Sequence, residues 1–289
     1  MKNLLIIGCG DVARRALPGL ARFCRISALA RSAESSDRLA ALGVRPVAGD
    51  LDRPGTLAGL GDAVDLVLHS APPQAEGESD RRTRHLLAAL ESGGMVPQRF
   101  VYLSTSGVYG DCGGARVDES RPPRPANERA RRRADAEQCL ERWCAAHGAA
   151  LVVLRVPGIY ASDRLPLDRL RRGRPALRTE EDVYTNHVHA DDLASIVCAA
   201  LERPDVSGTF NASDNSELRM GEYFDLVADR TGLPRPPRIS RGQALQQLSP
   251  LELSFFGESR RLQNGLMKQV LGIRLRYPTV FDGVPRAAA

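Results

Sequence analysis

A glycine-rich turn near the start of the chain carries the clearest chemical signal. Gly8 and Gly10 belong to the segment G-C-G-D-V-A, which directly follows a run of apolar residues. Glycine at these positions allows a tight turn and a close approach to a diphosphate, and a helix that begins there presents unpaired N–H groups to the phosphates. The turn therefore predicts dinucleotide binding, with a ligand-free turn as the alternative. The predicted contacts come from Gly8, Cys9, Gly10, Asp11, Val12 and Ala13.

The residues expected at the end of the second strand decide between NAD and NADP. An acidic side chain there would bind the ribose hydroxyls of NAD, whereas this chain has Arg31 and Ser32. A guanidinium and a hydroxyl suit a 2′-phosphate, and Arg14 and Arg15 are additional cations nearby in the sequence. The pattern favours NADP over NAD. The alternative is that Arg31 is a solvated loop residue.

Two further strand ends are expected to contact the cofactor. Asp50 can accept a hydrogen bond from an adenine amino group and Leu51 can cover the ring, although an aspartate at such a position often caps a turn instead. After the next strand come Ser70, Ala71 and Pro72. Small residues at a strand end let a cofactor lie against the backbone. All five residues are therefore predicted to belong to the cofactor site.

The elements that would position these residues alternate between short apolar runs and amphipathic stretches. Continuous apolar strands separated by helices are typical of a parallel sheet covered on both faces, and they predict a Rossmann-type, doubly wound α/β fold with right-handed crossovers. Strands are expected at 2–7, 25–30, 44–48, 64–68, 99–103, 151–156 and 208–211, and helices at 11–23, 33–42, 79–91, 128–147, 191–201 and 220–231.

The alternation weakens in the second half of the chain. We therefore predict a dinucleotide-binding domain over 1–156 and a smaller substrate lobe over 157–289, of which 186–211 returns to the Rossmann core. One stretch of this lobe is rich in arginine, which indicates either recognition of an anionic ligand or a solvated amphipathic helix. Its arginines are Arg164, Arg169, Arg171, Arg172, Arg174 and Arg178.

The composition narrows the class of protein. The chain has 289 residues, of which 43% are hydrophobic and 26% charged, as in an ordinary globular protein. No uncharged apolar run approaches the roughly 20 residues that cross a bilayer, so we expect a cytoplasmic protein without a membrane partner. The net charge of +5 is spread along the chain and interleaved with acids, so no nucleic-acid partner is expected. The six cysteines form no C-x-x-C pair, and no metal site is expected.

Four later motifs follow one another along the chain. Segment 101–110 reads V-Y-L-S-T-S-G-V-Y-G, 155–160 reads R-V-P-G-I-Y, 186–194 reads N-H-V-H-A-D-D-L-A, and 208–211 reads G-T-F-N. In this order they resemble the motifs of the extended short-chain dehydrogenases/reductases, the NAD(P)-dependent epimerase/dehydratase family. The resemblance covers nearly the whole chain, and the C-terminal tail is similar to that of a poorly characterised branch of the family.

The resemblance implies hydride transfer between nicotinamide C4 and a small polar or sugar-like substrate. The arginines of the 164–178 stretch would allow this substrate to carry an anionic group. In the family, a Ser or Thr polarises the substrate oxygen, a Tyr exchanges its proton, and a Lys four residues later lowers the pKa of that Tyr and holds the ribose. Thr105 occupies the Ser/Thr position and Tyr109 belongs to the V-Y-G motif. The implied cofactor contacts are Ser104, Arg133, Pro157, Gly158 and Ile159, and Asn186 and His187 would border the substrate. Relatives often pair through the helix expected at 128–147, which leaves a homodimer open.

The Tyr–Lys pair of the family is missing from this chain. None of the six tyrosines has a lysine four residues later, and alignment places Arg129 at the Tyr position and Arg133 at the Lys position. Arg133 keeps a cation for the ribose, but Arg129 cannot exchange a proton because a guanidinium stays protonated. Tyr109 is the nearest candidate to move the proton, followed by Glu119 and His187. The alternative for Tyr109 is a packed loop aromatic.

Two functions therefore stay open from the sequence. The first is an NADP-dependent oxidoreductase or epimerase with a different acid/base, which the retained Thr105 and the substrate-lobe motifs favour. The second is a catalytically silent protein that senses NADP(H) or binds another protein, which the missing Tyr–Lys pair favours. The glycine turn suits both functions.

Overall fold

A computed structural model describes residues 1–60 and 64–286. The strands of this part of the chain are β1 (Lys2–Ile7), β2 (Cys24–Ala30), β3 (Arg45–Ala48), β4 (Leu66–His69), β5 (Arg99–Thr105), β6 (Arg116–Val117), β7 (Ala150–Val156), β8 (Gly158–Tyr160), β9 (Ala176–Leu177), β10 (Tyr184–Thr185), β11 (His187–His189), β12 (Gly208–Asn211), β13 (Leu218–Arg219), β14 (Arg238–Ile239) and β15 (Arg261–Leu262). The α-helices are α1 (Asp11–Leu20), α2 (Ala33–Ala41), α3 (Arg81–Ser92), α4 (Glu128–His147), α5 (Leu167–Arg171), α6 (Ala190–Glu202), α7 (Met220–Thr231), α8 (Arg241–Gln247), α9 (Pro250–Phe255), α10 (Gly265–Leu271) and α11 (Val280–Gly283).

Seven strands form one parallel sheet in the order β12-β7-β5-β4-β1-β2-β3. Side chains of successive strand residues point to opposite faces, and in β1 both faces are buried. Leu4 and Ile6 pack with α1, α6 and α10, whereas Leu5 and Ile7 pack with α3 and α4. This three-layer arrangement confirms the predicted doubly wound α/β fold.

The order of the strands reverses beside β1. The chain builds outward from β1 through β2 to β3 and then returns to place β4 on the other side of β1. Open α/β sheets bind ligands at such a reversal, outside the carboxyl ends of the strands. The predicted site residues therefore meet along one edge of the sheet, because the strand ends of a parallel sheet share that edge.

A second group of elements covers the carboxyl edge of the sheet at β5 and β7. Its core contains Tyr160, Leu177, Phe224, Phe256 and other buried residues of α5, α7 and α8. Short strand pairs such as β9–β14 and β10–β13 connect its segments. The strand β12 pairs with β7 and α6 packs against α1, so part of the second half lies on the sheet. The division of the chain at residue 156 stays a prediction.

A buried ion pair fixes α4 to the sheet. Glu137 of α4 and Arg155 of β7 are joined at 2.8 Å, and their side chains are 3% and 6% exposed. The hydroxyl of Ser104 donates to Glu137, and the Arg155 guanidinium lies 4.7 Å above the ring of Tyr109. Removing one member of a buried pair leaves the other charge without compensation. The orientation of α4 on the sheet therefore depends on this pair.

We predict that Glu137→Ala lowers the free energy of unfolding by about 3–5 kcal/mol, because Arg155 is then buried without its carboxylate. Urea denaturation followed by circular dichroism measures the loss. The matched control is Glu34→Ala, which breaks the exposed Arg38–Glu34 pair and should change the free energy by less than about 1 kcal/mol. Equal effects of the two substitutions would contradict the proposed importance of the buried pair.

Candidate functional site

The glycine turn lies between β1 and α1 as predicted. Gly8 has a φ of +91°, and a Cβ at this position would lie 2.5 Å from the backbone nitrogen of Ala71. Gly10 is different, because a Cβ there would meet no heavy atom within 4 Å. The side chains of Val12 and Ala13 are buried against the sheet, which holds the start of α1 in place. The turn is therefore closed behind Gly8 and open in front of Gly10.

The residues after β4 pack against the turn from behind. The hydroxyl of Ser70 donates to the carbonyl oxygen of Gly8 at 2.6 Å, and Ala71 donates its N–H to Ile7. The carbonyl oxygen of Pro72 accepts a hydrogen bond from Arg82. These residues support the turn, while Cys9 lies half-buried within it.

A depression of about 430 Å³ lies at the carboxyl ends of β2 and β3. Arg31, Ser32 and Asp50 line it, together with Arg53 and Ser36. Within the described residues, neither Arg31 nor Arg53 has a salt-bridge partner, so two guanidiniums are free beside the depression. Asp50 Oδ1 accepts the N–H of Asp52 at 2.9 Å, which is the turn-capping alternative.

Two residues expected near the adenosine end lie elsewhere. Leu51 is buried in the core on the α3 side of the sheet and does not line the depression. Arg15, expected to assist with a 2′-phosphate, is engaged by three carboxylates, Asp11, Asp163 and Asp191. Packing of Leu51 and the ion pairs of Arg15 direct both side chains away from the depression. Arg14 is exposed and does not line it either.

A larger cavity of about 700 Å³ lies at the carboxyl ends of β5 and β7. Ser104, Thr105, Arg133, Pro157, Gly158, Ile159, Asn186 and His187 all line it, so these predicted residues are brought together. From β3 to β7 the edge spans five strand spacings of about 4.8 Å, or about 24 Å. The depression, the glycine turn and the cavity follow one another along that edge.

The cavity floor holds a hydroxyl and a fixed cation. Thr105 Oγ1 accepts the N–H of Gly107 at 3.2 Å, so its own hydrogen is left for another acceptor. Arg133 Nη1 donates to the carbonyl oxygen of Leu103 at 2.8 Å and to the hydroxyl of Tyr102 at 3.1 Å. These bonds hold the Arg133 guanidinium at the cavity without a carboxylate. Ser104 is less available, because its hydroxyl donates to Glu137.

Tyr109 is not brought to the cavity. Its ring is 1% exposed, and its hydroxyl donates to Asn211 Oδ1 at 2.8 Å. Burial raises the pKa of Tyr109 and outweighs the opposing effect of Arg155. Glu119 accepts the N–H of Asn211 and also lies outside the cavity lining. The geometry therefore argues against both residues as the group that exchanges a proton with a substrate.

Asn186 and His187 border the cavity in different ways. The Asn186 amide is held at both ends, since Nδ2 donates to Arg260 O and Oδ1 accepts from Leu262 N. His187 is 4% exposed, and its ring lies 4.1 Å from the ring of Tyr223. Its buried Nδ1 has no hydrogen-bond partner among the described residues. Asn186 therefore holds the cavity wall, whereas His187 lines the cavity with one ring nitrogen, Nδ1, buried and unpaired in the described part of the chain.

Most arginines of the 164–178 stretch are paired with acids. Arg164 contacts Asp11 at 2.7 Å, and Arg171 contacts Asp168 at 3.1 Å. Arg169 and Arg174 share Glu252, at 3.2 and 2.5 Å. The helix in this stretch, α5, covers only Leu167–Arg171. The sequence left open an anion-binding stretch or a solvated amphipathic helix, and neither describes this stretch fully. Several of its arginines instead form ion pairs with acidic residues of other segments.

Several residues that line the depression or the cavity were not identified from the sequence. Arg53 lies three positions after Asp50, and this closeness in sequence could have indicated that it lines the same depression. The apolar wall of the cavity comes from α7, the end of α9 and β10. The helix α7 was predicted at 220–231, but its pattern does not show which of its side chains line a cavity. The wall consists of five aromatic residues and one methionine: Tyr184, Met220, Tyr223, Phe224, Phe255 and Phe256.

The fold and the site together define a dinucleotide-binding α/β protein. The profile of the NAD dependent epimerase/dehydratase family matches residues 15–213, which is more than half of the chain. The chain therefore belongs to this family. The match begins after the glycine turn, so the open space at Gly10 is an independent observation.

Two comparisons cover nearly the whole chain at moderate or low identity. A functionally unknown conserved protein from Silicibacter pomeroyi is 29% identical with a TM-score of 0.82, and the alignment covers 98% of this chain and 97% of that one. UDP-glucuronic acid 4-epimerase from Bacillus cereus, solved in complex with NAD, is 15% identical with a TM-score of 0.75 over 98% and 96%. The second comparison shows the fold alone.

One curated relative has a named activity. It is 4-hydroxy-2-methyl-3-oxo-4-farnesyl-3,4-dihydroquinoline-1-oxide ketoreductase from Stigmatella aurantiaca, 27% identical over 250 residues, covering 81% of this chain and 74% of that protein. None of the described helices combines the length and apolar character needed to span a membrane. Within residues 1–60 and 64–286, no group of three or more His, Cys, Asp or Glu side chains is arranged to hold a metal ion.

We predict that His187 makes the protein less stable in mild acid. Burial lowers the pKa of His187 to about 3, whereas an unfolded histidine titrates near about 6.5. Below pH ~6.5 the unfolded chain binds a proton that the folded chain does not, so stability falls with pH by about 1.4 kcal/mol per unit from this residue. Urea denaturation between pH 7.5 and ~4.5 should show a steeper loss in the wild type than in His187→Phe.

The His187→Phe comparison isolates this residue from its neighbours. Tyr160 and Tyr223 flank the ring, and Asp214, whose pKa burial raises to about 7, contributes the opposite slope in both proteins. Parallel stability curves for the two proteins would show that His187 is not held neutral.

Proposed function

We propose that the protein is an NADP-dependent oxidoreductase that transfers a hydride between the cofactor and a carbonyl carbon of a small-molecule substrate. The observation that carries this proposal is the alignment of three features along one sheet edge: the depression with Arg31, the open turn at Gly10 and the cavity with Thr105. The name of the Stigmatella relative, a ketoreductase, supports a carbonyl substrate.

The residues present fit a dinucleotide. The N–H groups of Asp11, Val12 and Ala13, in the first turn of α1, have no acceptor among the described residues, and the space above Gly10 is open. The Asp11 carboxylate would repel a diphosphate, but Arg15 and Arg164 neutralise it. Arg31, Ser32 and Arg53 would hold the 2′-phosphate of NADP in the depression, with Asp50 beside the adenine.

A bound nicotinamide would supply or accept the hydride. Thr105 would donate its hydroxyl hydrogen to the substrate oxygen and recover a proton from water in the cavity. His187 would donate a second hydrogen bond from Nε2, because burial keeps its imidazole neutral and unable to serve as a strong acid. Arg133 would hold the ribose as a fixed cation, and Pro157, Gly158 and Ile159 would shape the nicotinamide face.

A second function has its own supporting observation. Arg129 and Arg133 replace the Tyr–Lys pair, and Tyr109 lies outside the cavity lining, so no residue known from the family to exchange the proton is at the cavity. The protein would then be a catalytically silent NADP(H)-binding sensor or interaction protein. Cofactor uptake without oxidation of NADPH by any carbonyl compound would favour this function. A homodimer through α4 stays a proposal under either function.

The glycine turn provides the direct test of cofactor binding. Gly10→Asp should fold normally because its Cβ meets no protein atom, but the added carboxylate should weaken NADPH binding by about 10–100-fold in isothermal titration calorimetry. Gly265→Asp is the matched control, since Gly265 also begins a helix and also faces open space. Unchanged NADPH affinity in Gly10→Asp would contradict the proposed site.

The preference for NADP depends on Arg31. Replacing it in Arg31→Ser removes a charge-assisted contact to the 2′-phosphate, worth about 1.5–3 kcal/mol, so NADPH affinity should fall about 10–100-fold. NADH affinity should change less than about threefold, because NADH has no phosphate there. Arg45→Ser, at the opposite end of β3, is the control. An equal loss for both cofactors would mean that Arg31 does not read the 2′-phosphate.

A further inference from the structure

We infer that the cavity takes a carbonyl compound built on a fused or aromatic ring system and not a nucleoside-diphosphate sugar. This inference names the substrate class of the site and rests on the proposed function. It comes from two properties of the cavity wall: an aromatic side made by three separate elements, and carboxylates that pair with three of the five lining arginines.

The aromatic side faces the predicted nicotinamide position. Tyr223 and Phe224 come from α7, with ring centres 5.9 Å apart, and Phe255 and Phe256 come from the end of α9. The ring of Tyr223 stacks at a tilt on His187, which lies opposite Gly158 in the β8–β11 register. A flat apolar ring placed against Tyr223 would therefore lie next to the ring of His187 at the cavity wall.

Phe255 is the solvent-exposed ring of the aromatic side of the cavity. Phe255 is 47% exposed, although it lines the cavity. An exposed aromatic ring gains free energy when a ligand covers it, and aromatic pairs prefer an aromatic partner by about 0.5–1.5 kcal/mol beyond simple burial. The Arg129 guanidinium, which also lines the cavity, lies 5.9 Å above the same ring.

Most of the cavity arginines are poorly suited to a diphosphate. Guanidiniums with free donors favour a diphosphate, but Arg164 contacts Asp11, Arg169 contacts Glu252, and Arg260 contacts Glu258. Of the two other lining arginines, Arg133 is assigned to the cofactor ribose by the proposed function, and Arg129 lies over the ring of Phe255. Arg169 also lies 4.8 Å above the ring of Phe224. The lining carboxylates of Glu252 and Glu258 would themselves repel an anion. A neutral ring compound meets neither difficulty.

Calorimetry on the full chain with saturating NADP⁺ tests the inference with two probes, 1-tetralone as a two-ring aromatic ketone and UDP-glucose as a nucleotide sugar. The wild type should bind 1-tetralone and show no heat with UDP-glucose at millimolar concentration. Phe255→Ala should weaken 1-tetralone binding about tenfold, and Phe255→Trp should retain it. Phe281→Ala, which removes a similarly exposed ring of α11 outside the cavity lining, should change nothing.

The possible outcomes test the substrate class and the hydride transfer independently of each other. Tighter binding of UDP-glucose, or equal 1-tetralone affinity in wild type and Phe255→Ala, would overturn the ring-system inference. NADPH binding without any 1-tetralone binding would also overturn it and would leave the proposed hydride transfer standing. Binding of 1-tetralone with the expected loss in Phe255→Ala, but with no oxidation of NADPH at 340 nm, would support the ring pocket and contradict the hydride transfer.

Discussion

The contact between the turn after β1 and the residue after β4 shapes the rest of the carboxyl edge. At Gly8 the backbone adopts a positive φ and approaches Ala71 so closely that no side chain fits between them. Ser70 reinforces the approach with a hydrogen bond to Gly8 O. Because the turn is closed on this side, its open side is the one above Gly10, where the first turn of α1 begins. The reversal of strand order at the same point keeps the neighbouring helices apart and leaves the edge accessible.

A second constraint is the type of cation at the cavity. Arg129, Arg133 and Glu137 follow one another at intervals of four along α4, so they share one face of the helix. The buried pair of Glu137 with Arg155 fixes that face toward the strand ends. Guanidiniums keep their charge at all ordinary pH values, so α4 contributes orientation and electrostatics but no proton exchange. Any acid or base at this site has to come from other parts of the lining, such as Thr105, His187, Tyr184 and Tyr223, or from bound water.

The parts of the molecule that follow local rules could be predicted from the sequence. The strand at 2–7 and the helix at 128–147 have the predicted bounds, because apolar runs and capping residues determine them locally. The family resemblance implied roles for Thr105 and Pro157 separately, and both residues line the same cavity. Two of the three acidic partners of Arg15 lie 148 and 176 positions away, and Asn211, which binds Tyr109, lies 102 positions away. Contacts at such sequence distances depend on the complete packing of the protein. No local sequence pattern could therefore predict the contacts that Arg15 and Tyr109 make.

The wall of the cavity has a consequence for the order in which the protein assembles. The glycine turn and the depression use residues 8–71, which can come together early during synthesis from the ribosome. The cavity instead needs α9 and the 258–260 segment, and Asn186 anchors that segment through Arg260 and Leu262. A nascent chain would therefore form the glycine turn and the depression well before it forms the cavity. Cleavage by a protease near residue 250 would remove part of the cavity wall and leave the turn and the depression intact.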